Sequence, residues 1–196
     1  MSYLYIDTTD FITIGLLDSE FKWLNYEFLE SKKSSEVLHY KIFEMLNEKN
    51  LDIKNISGVI YAAGPGSYTG MRVSQGFVDI LKLEGIPIYS FYHFEIPKML
   101  NIKSGIWFSK AFKGETFQYS WSSEKSQIEL IKTEEFLKLN LANPDLYSSH
   151  FQENFLVVET NKMLFESSHI IMKYLVENKM DKELYYYREL EDEFKK

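Results

Sequence analysis

Three glycines, Gly64, Gly66 and Gly70, stand in the run YAAGPGSYTG (61–70), between an apolar stretch of strand length and an amphipathic stretch of helix length. These are the parts from which phosphate cradles are built. The first N–H groups of a helix lack intrahelical partners, and a glycine lets an anion approach them. The named templates nevertheless fail on spacing. The dinucleotide fingerprint needs its third glycine at position 69, where Thr69 stands. The Walker loop ends in Gly-Lys-Ser/Thr, and the chain reads Gly70-Met71-Arg72. Spacing alone favours a structural turn, in which Gly64 and Gly66 supply positive φ, Pro65 stiffens the chain, and Ser67 or Thr69 caps the helix.

Asp7 is the second group with chemical potential. Actin-like ATPases and sugar kinases place an aspartate at the end of a first strand, followed by a glycine whose backbone approaches the phosphates. Here Thr8 and Thr9 follow, so a polar hairpin turn is the simpler expectation. His39, His93, His150 and His169 are scattered without helical i, i+4 pairing, and cysteine is absent. A metal site is therefore not expected, and thiolate and disulfide chemistry is excluded. Ser67 does not stand in a nucleophile elbow, which would need glycines at 65 and 69.

The elements that must carry these residues are legible in the first half. YLYID, FITIGLLD and KWLNYEFLE read as three strands joined by short polar breaks, hence antiparallel hairpins. A helix follows over SSEVLHYKIFEMLNEKN, with Leu38, Ile42, Met45 and Leu46 on one face, Ser34 or Ser35 at its start and Glu36 at the positive end of its dipole. SGVIYAA is a buried strand, the helix after the glycine turn ends at Gly85 before Pro87, and PIYSF is another strand. The order β-β-β-α-β-α-β describes a mixed sheet with helices upon it, an α/β fold. In the second helix Val73, Phe77, Ile80 and Leu81 form one apolar stripe, while Met71, Val78 and Leu83 lie outside it. A helix apolar on more than one face needs a second cover, either a partner helix or a larger core.

Beyond residue 100 the pattern gives a hairpin about Lys113-Gly114 between SGIWFSKAF and ETFQYSWS. It then gives a strand at SQIELI, a short helix at TEEFLKL, a strand at NFLVVE and a helix over 161–178 with Leu164, Ile171, Tyr174 and Leu175 as its apolar positions. The charged tail YYYRELEDEFKK is expected to be exposed. No internal repeat is visible, and a division into 1–100 and 101–196 is expected. With 196 residues the chain can bury a sizeable core, and its aromatics (15 Phe, 14 Tyr) are not those of a disordered chain. A formal net charge of −7 argues against a dedicated nucleic-acid-binding domain. No apolar run is long enough to span a bilayer and the N-terminus lacks a basic leader, so a cytoplasmic protein is expected.

Taken together, IDTT near the N-terminus, SSEVL opening the first helix and GPGSYTGMRV at 64–73 resemble the TsaB (YeaZ) family, the non-catalytic subunit of the bacterial tRNA threonylcarbamoyladenosine machinery. The family's usual turn reads G-P-G-S-F-T-G-L-R-I. AFKGETF (111–117) is similar to its A-R-R-G-E-V-Y hairpin, and YYYREL resembles its P-x-Y-L-R ending. The sequence departs from the family pattern at Ser34, Ser74, Lys110 and Phe112. The resemblance implies an actin-like (ASKHA) fold with mixed β-sheets and flanking helices, in two lobes with the second reduced. It implies a TsaD-like catalytic partner and cooperation with a TsaE-like ATPase. The task implied is N6-threonylcarbamoylation of the adenosine next to the anticodon in tRNAs reading codons that begin with A.

The resemblance further implies no catalytic residue, no metal and no catalytic activity in this chain itself. ATP or ADP with magnesium would belong to the complex, tRNA would be met through the complex, and homodimers would form alone. The partner interface would fall on Glu36, Leu38, His39, Ile42 and Met45 of the first helix, and on Met71, Arg72, Gln75, Gly76, Phe77, Asp79 and Ile80 of the second. A nucleotide contact through Asp7, Thr8, Gly66, Ser67, Tyr68 and Thr69 is the alternative for the turn. An actin-like phosphotransferase is the alternative function.

Overall fold

The computed structural model describes residues 1–30, 34–140, 145–149 and 157–187. They fall into two units. The first is residues 1–92 with 168–186, and the second is the described part of 93–167 with Tyr187. The sequence pattern divides the chain near residue 100. The structure makes its first break at Tyr92/His93 and returns 168–186 to the first unit.

In the first unit, β1 (Tyr3–Asp7), β2 (Ile12–Leu17) and β3 (Trp23–Leu29) form an antiparallel meander. On its other side β1 pairs in parallel with β4 (Gly58–Ala62), and β4 with β5 (Ile88–Phe91), giving the order β3-β2-β1-β4-β5. The parallel pairs require crossovers, and the two helices supply them. They are α1 (Ser34–Glu48), between β3 and β4, and α2 (Tyr68–Leu83), between β4 and β5. The two helices touch one another; α1 lies on β2, and α2 on β1 and β4. Leu4, Ile6, Ile14, Leu16 and Val59 meet Leu38, Ile42 and Met45 of α1 and Val78 and Leu81 of α2 in one core. Alternation along β1 sends Tyr5 the other way, to Trp23 and Phe91.

The second unit contains η-turn residues His93–Glu95 leading into α3 (Ile96–Met99), and then β6 (Gly105–Lys110), β7 (Glu115–Trp121) and β8 (Ser126–Lys132). These three are again an antiparallel meander. After α4 (Thr133–Asn140), β9 (Leu146–Ser148) pairs in parallel with β6, and β10 (Val158–Glu159) with β9. The order is β10-β9-β6-β7-β8. Read from the meander edge, this is the order of the first sheet, so the second unit repeats the topology of the first although the two sequences show no repeat. An aromatic cluster of Phe94, Trp107, Phe117 and Tyr119 fills its interior. This smaller unit still carries a full five-stranded sheet.

Two expectations for the C-terminal third are corrected. The single helix over 161–178 is two helices, α5 (Thr160–Glu166) and α6 (Ser168–Glu177), which fall in different units. Ser168 donates its hydroxyl to the Phe21 carbonyl at 2.8 Å, anchoring the start of α6 to the first unit. The first residues of the charged tail, Tyr185 to Tyr187, are half-buried rather than exposed. Residues 180–186 are bonded along β4 and β5 of the first unit. His150, the first half of NFLVVE and the RELEDEFKK end lie outside the described residues, as does the side chain of Ser34.

Candidate functional site

The glycine-rich turn packs against the β1–β2 turn. Ser67 donates its backbone N–H to the Thr9 carbonyl at 2.5 Å, and Thr8 donates its hydroxyl to the Gly70 carbonyl at 2.7 Å. A Cβ on Gly66 would sit 2.3 Å from the Thr9 carbonyl oxygen, and one on Gly70 1.9 Å from that of Thr8. Among these turn glycines a positive φ occurs at Gly64 (115°) and not at Gly66, contrary to the sequence expectation. Gly66 and Gly70 are required for close approach of two backbones. Ser67 is the cap, its hydroxyl accepting from Gly70 N–H at 3.3 Å. Thr69 is exposed and Tyr68 half-buried in the first turn of α2.

Asp7 is 3% exposed. Its carboxylate accepts from the Thr9 N–H at 2.8 Å and the Thr9 hydroxyl at 2.6 Å. That is the local bonding of a tight polar turn. The β1–β2 turn and the glycine-rich turn are thus adjacent, with Asp7 bonded to Thr9, Thr8 to Gly70, and Ser67 to Thr9 and Gly70. In this arrangement Asp7 is committed to holding the hairpin turn. Among the described residues no three His, Asp or Glu side chains converge as a metal cage.

The helices tell a different story. Leu38, Ile42, Met45 and Met71 are buried in the unit's own interior, at 2% exposure or less, and so are not presented to a partner. The core stripe of α2 is Met71, Ser74, Val78 and Leu81, and of the apolar stripe Val73, Phe77, Ile80 and Leu81 seen in the sequence only Leu81 is fully part of it. Ser74 bonds its hydroxyl back to the Met71 carbonyl at 3.0 Å, which lets a polar residue occupy the core face. Val73 and Phe77 lie at the edge of the core. Phe77 also meets the His39 ring edge-on at 5.0 Å, stitching α1 to α2. Outward from this seam stand Tyr40 (63% exposed) and Phe43 (64%) on α1, with Ile80 (59%) and Leu83 (89%) on α2. Glu36, Gly76 and Asp79 are exposed on the same two helices, and Gln75 is half-buried. A Cβ at Gly76 would meet nothing within 4 Å. Tyr40, Phe43 and Leu83 are not among the interface residues that the resemblance implies. The signal for the first two was an aromatic spacing of three on the side of α1 away from Leu38 and Ile42.

Arg72, exposed on α2, is engaged within the unit. Its guanidinium lies 5.6 Å from the Tyr68 ring centre and 5.5 Å from that of Tyr186, and it donates to Gln75 Oε1 at 3.2 Å.

A three-strand antiparallel meander continued by two parallel strands, built twice, is the actin-like (ASKHA) α/β architecture. The particular proteins that share it are consistent with one another. A family model for TsaD, described as tRNA N6-adenosine threonylcarbamoyltransferase, matches residues 29–97. YeaZ from Pseudomonas aeruginosa superimposes with a TM-score of 0.61 at 14% identity, covering 93% of this chain and 99% of that one. A structure described as an uncharacterized protein with similarity to peptidase YEAZ from Pseudomonas aeruginosa gives a TM-score of 0.58, also at 14% identity, over 94% of this chain and 99% of that one. At such identity the likeness is one of fold. It agrees with the TsaB (YeaZ) resemblance read from residues 64–73.

Proposed function

We propose that this chain is a TsaB-type, non-catalytic subunit that docks the outward face of α1 and α2 on a TsaD-type partner. In that assembly it serves N6-threonylcarbamoylation of the adenosine next to the anticodon in tRNAs reading codons that begin with A. The observation that carries the reading is the exposed apolar set Tyr40, Phe43, Ile80 and Leu83 on two adjoining helices. Large apolar side chains grouped on a surface mark interaction sites, and aromatics are favoured anchors there.

The choice of partner rests on the matched segment. Residues 29–97, where the TsaD family model matches, contain both helices. A TsaD-type chain then carries a counterpart of this helix pair. Two like pairs can face each other about a pseudo-twofold axis, burying both apolar faces. Gly76 lets a facing helix come close to α2. A TsaE-type ATPase completes the assembly in this reading, and ATP or ADP with magnesium is held by the complex. Asp7, engaged with Thr9, supports that division of labour over the phosphotransferase alternative.

The test is light scattering of the chain mixed with its cognate TsaD-type subunit. Wild type should give a heterodimer, and Phe43→Glu and Ile80→Glu should abolish it. Because both positions are exposed, their stability should stay within about 0.5 kcal/mol of wild type. Phe77→Glu is a poorer probe, since Phe77 supports the core and His39. Co-elution of both glutamate variants with the partner would remove the α1–α2 face from consideration.

A further inference from the structure

We infer that residues 180–186 are a lock that holds α2 in its docking position, so that partner affinity depends on a segment remote in sequence from both docking helices. The docking part of this inference rests on the function proposed above; the lock itself does not.

The segment is tied to the sheet on one side. Tyr185 donates its N–H to the Ala63 carbonyl at 2.8 Å, and Ser90 donates its N–H to the Met180 carbonyl at 2.8 Å. The Ser90 hydroxyl donates to the Lys182 carbonyl at 3.1 Å and accepts the Lys182 N–H. Tyr92 donates its hydroxyl to the Glu183 carbonyl at 2.9 Å. Leu184 packs against the core that α1 and α2 share. Gly64 permits the closest approach: a Cβ there would stand 2.7 Å from the Tyr185 carbonyl oxygen and 2.8 Å from the Met71 sulfur.

On the other side the same segment grips α2 near both ends. Asp181 pairs with Lys82 at 2.9 Å in the last turn. Tyr186 lies 5.2 Å from the Tyr68 ring and closes over Arg72 in the first turns. The lengths agree. Arg72 to Lys82 spans about 15 Å of helix at 1.5 Å per residue. Asp181 to Tyr186 spans about 17 Å if extended at 3.3 Å per residue. The segment therefore runs antiparallel to α2 along most of its length. The core-facing stripe fixes α2 from below, and the lock fixes it from the flank. A helix held in its bound position before the partner arrives loses less entropy on binding.

The test needs substitutions that loosen the lock without touching the docking face. Ser90 is fully buried on β5, and Tyr92 bonds the segment through its hydroxyl alone among the atoms to be removed. The double variant Ser90→Ala, Tyr92→Phe deletes these bonds and adds no bulk. In the full isolated chain, amide hydrogen exchange should become about tenfold faster in 180–186 and in both end turns of α2, as expected for lost hydrogen bonds. Amides of β1 and β4 should keep their protection. Affinity for the TsaD-type subunit should fall about fivefold, mostly through faster dissociation.

Unchanged exchange in α2 would overturn the lock, and faster exchange with undiminished affinity would overturn its effect on partner binding. If wild type does not bind the TsaD-type subunit at all, the proposed function fails, and exchange in the isolated chain still decides whether the segment holds α2. If β1 and β4 also lose protection, Tyr92→Phe alone repeats the comparison.

Discussion

Gly70 and Gly76 lie nearly two turns apart on α2 and answer opposite demands. At Gly70 a side chain would collide with the Thr8 carbonyl, at 1.9 Å, whereas at Gly76 it would meet open space. Nothing among the described residues accounts for a glycine at 76, and a mid-helix glycine costs about 1 kcal/mol relative to alanine. Gly76→Ala should therefore raise the melting temperature of the isolated protein by about 2–4 °C. Gly70→Ala should lower stability by about 3 kcal/mol, because backbone rather than a flexible side chain must yield. Thermal melts of the two variants check both signs. If Gly76→Ala is neutral or destabilising, the claim that the fold does not need this glycine is wrong. The sequence showed that the GPGSYTG run was a turn launching a helix. It did not show that Gly66 and Gly70 make room for Thr8 and Thr9, because those partners lie some sixty positions away.

At the scale of elements, α1 and α2 show how far periodicity reaches. The spacing of Leu38, Ile42, Met45 and Leu46 picked out the inward face of α1, and these four are buried. In α2 the same reasoning found one apolar stripe with Met71, Val78 and Leu83 outside it, and did not decide which side turns inward. A buried serine stands on the true core face at position 74, and Ile80 is an apolar residue on the outer one. Hydropathy counts Ser74 as polar, whereas its hydroxyl is satisfied by the helix's own Met71 carbonyl. The exposed face left over seeks a cover when no partner is present. The isolated chain should therefore associate with a second copy through this face, and light scattering should give twice its 23.2 kDa mass. Ile80→Glu should return it to the mass of a single chain. A wild-type protein that stays monomeric at high concentration would show that the face does not pair with itself.

For the whole molecule, burial of phenols sets an alkaline limit. Burial raises Tyr26 and Tyr61 from an ordinary value of 10.0 to about 12. Burial, followed by the nearby Asp7 charge, also drives Tyr5 well above its ordinary value. The unfolded chain would release these protons near pH 10 and the folded chain holds them to about pH 12. Stability from these groups is thus fully present below about pH 10 and is lost as pH rises through about 12. Melting temperatures should be flat on the lower side of that window and fall within it, together with the appearance of tyrosinate absorbance. A flat profile through the window would contradict the burial of these hydroxyls.

The sequence by itself determined the local order of the first half. Three strands, a helix, a strand, a glycine turn, a helix and a strand follow from alternation, helical spacing and turn residues, all of them interactions between near neighbours in the chain. It also carried, in ten consecutive residues, the resemblance that the fold comparisons meet. The tertiary structure alone decided three things. It showed that the second unit repeats the strand order of the first, which hydrophobic patterning cannot reveal, because many unrelated sequences satisfy the same alternation. It decided which face of α2 turns inward, since that depends on the sheet beneath it. And it brought residues 180–186 back along β4, β5 and α2, through backbone hydrogen bonds that carry no side-chain signature and through side-chain contacts with residues about a hundred positions away.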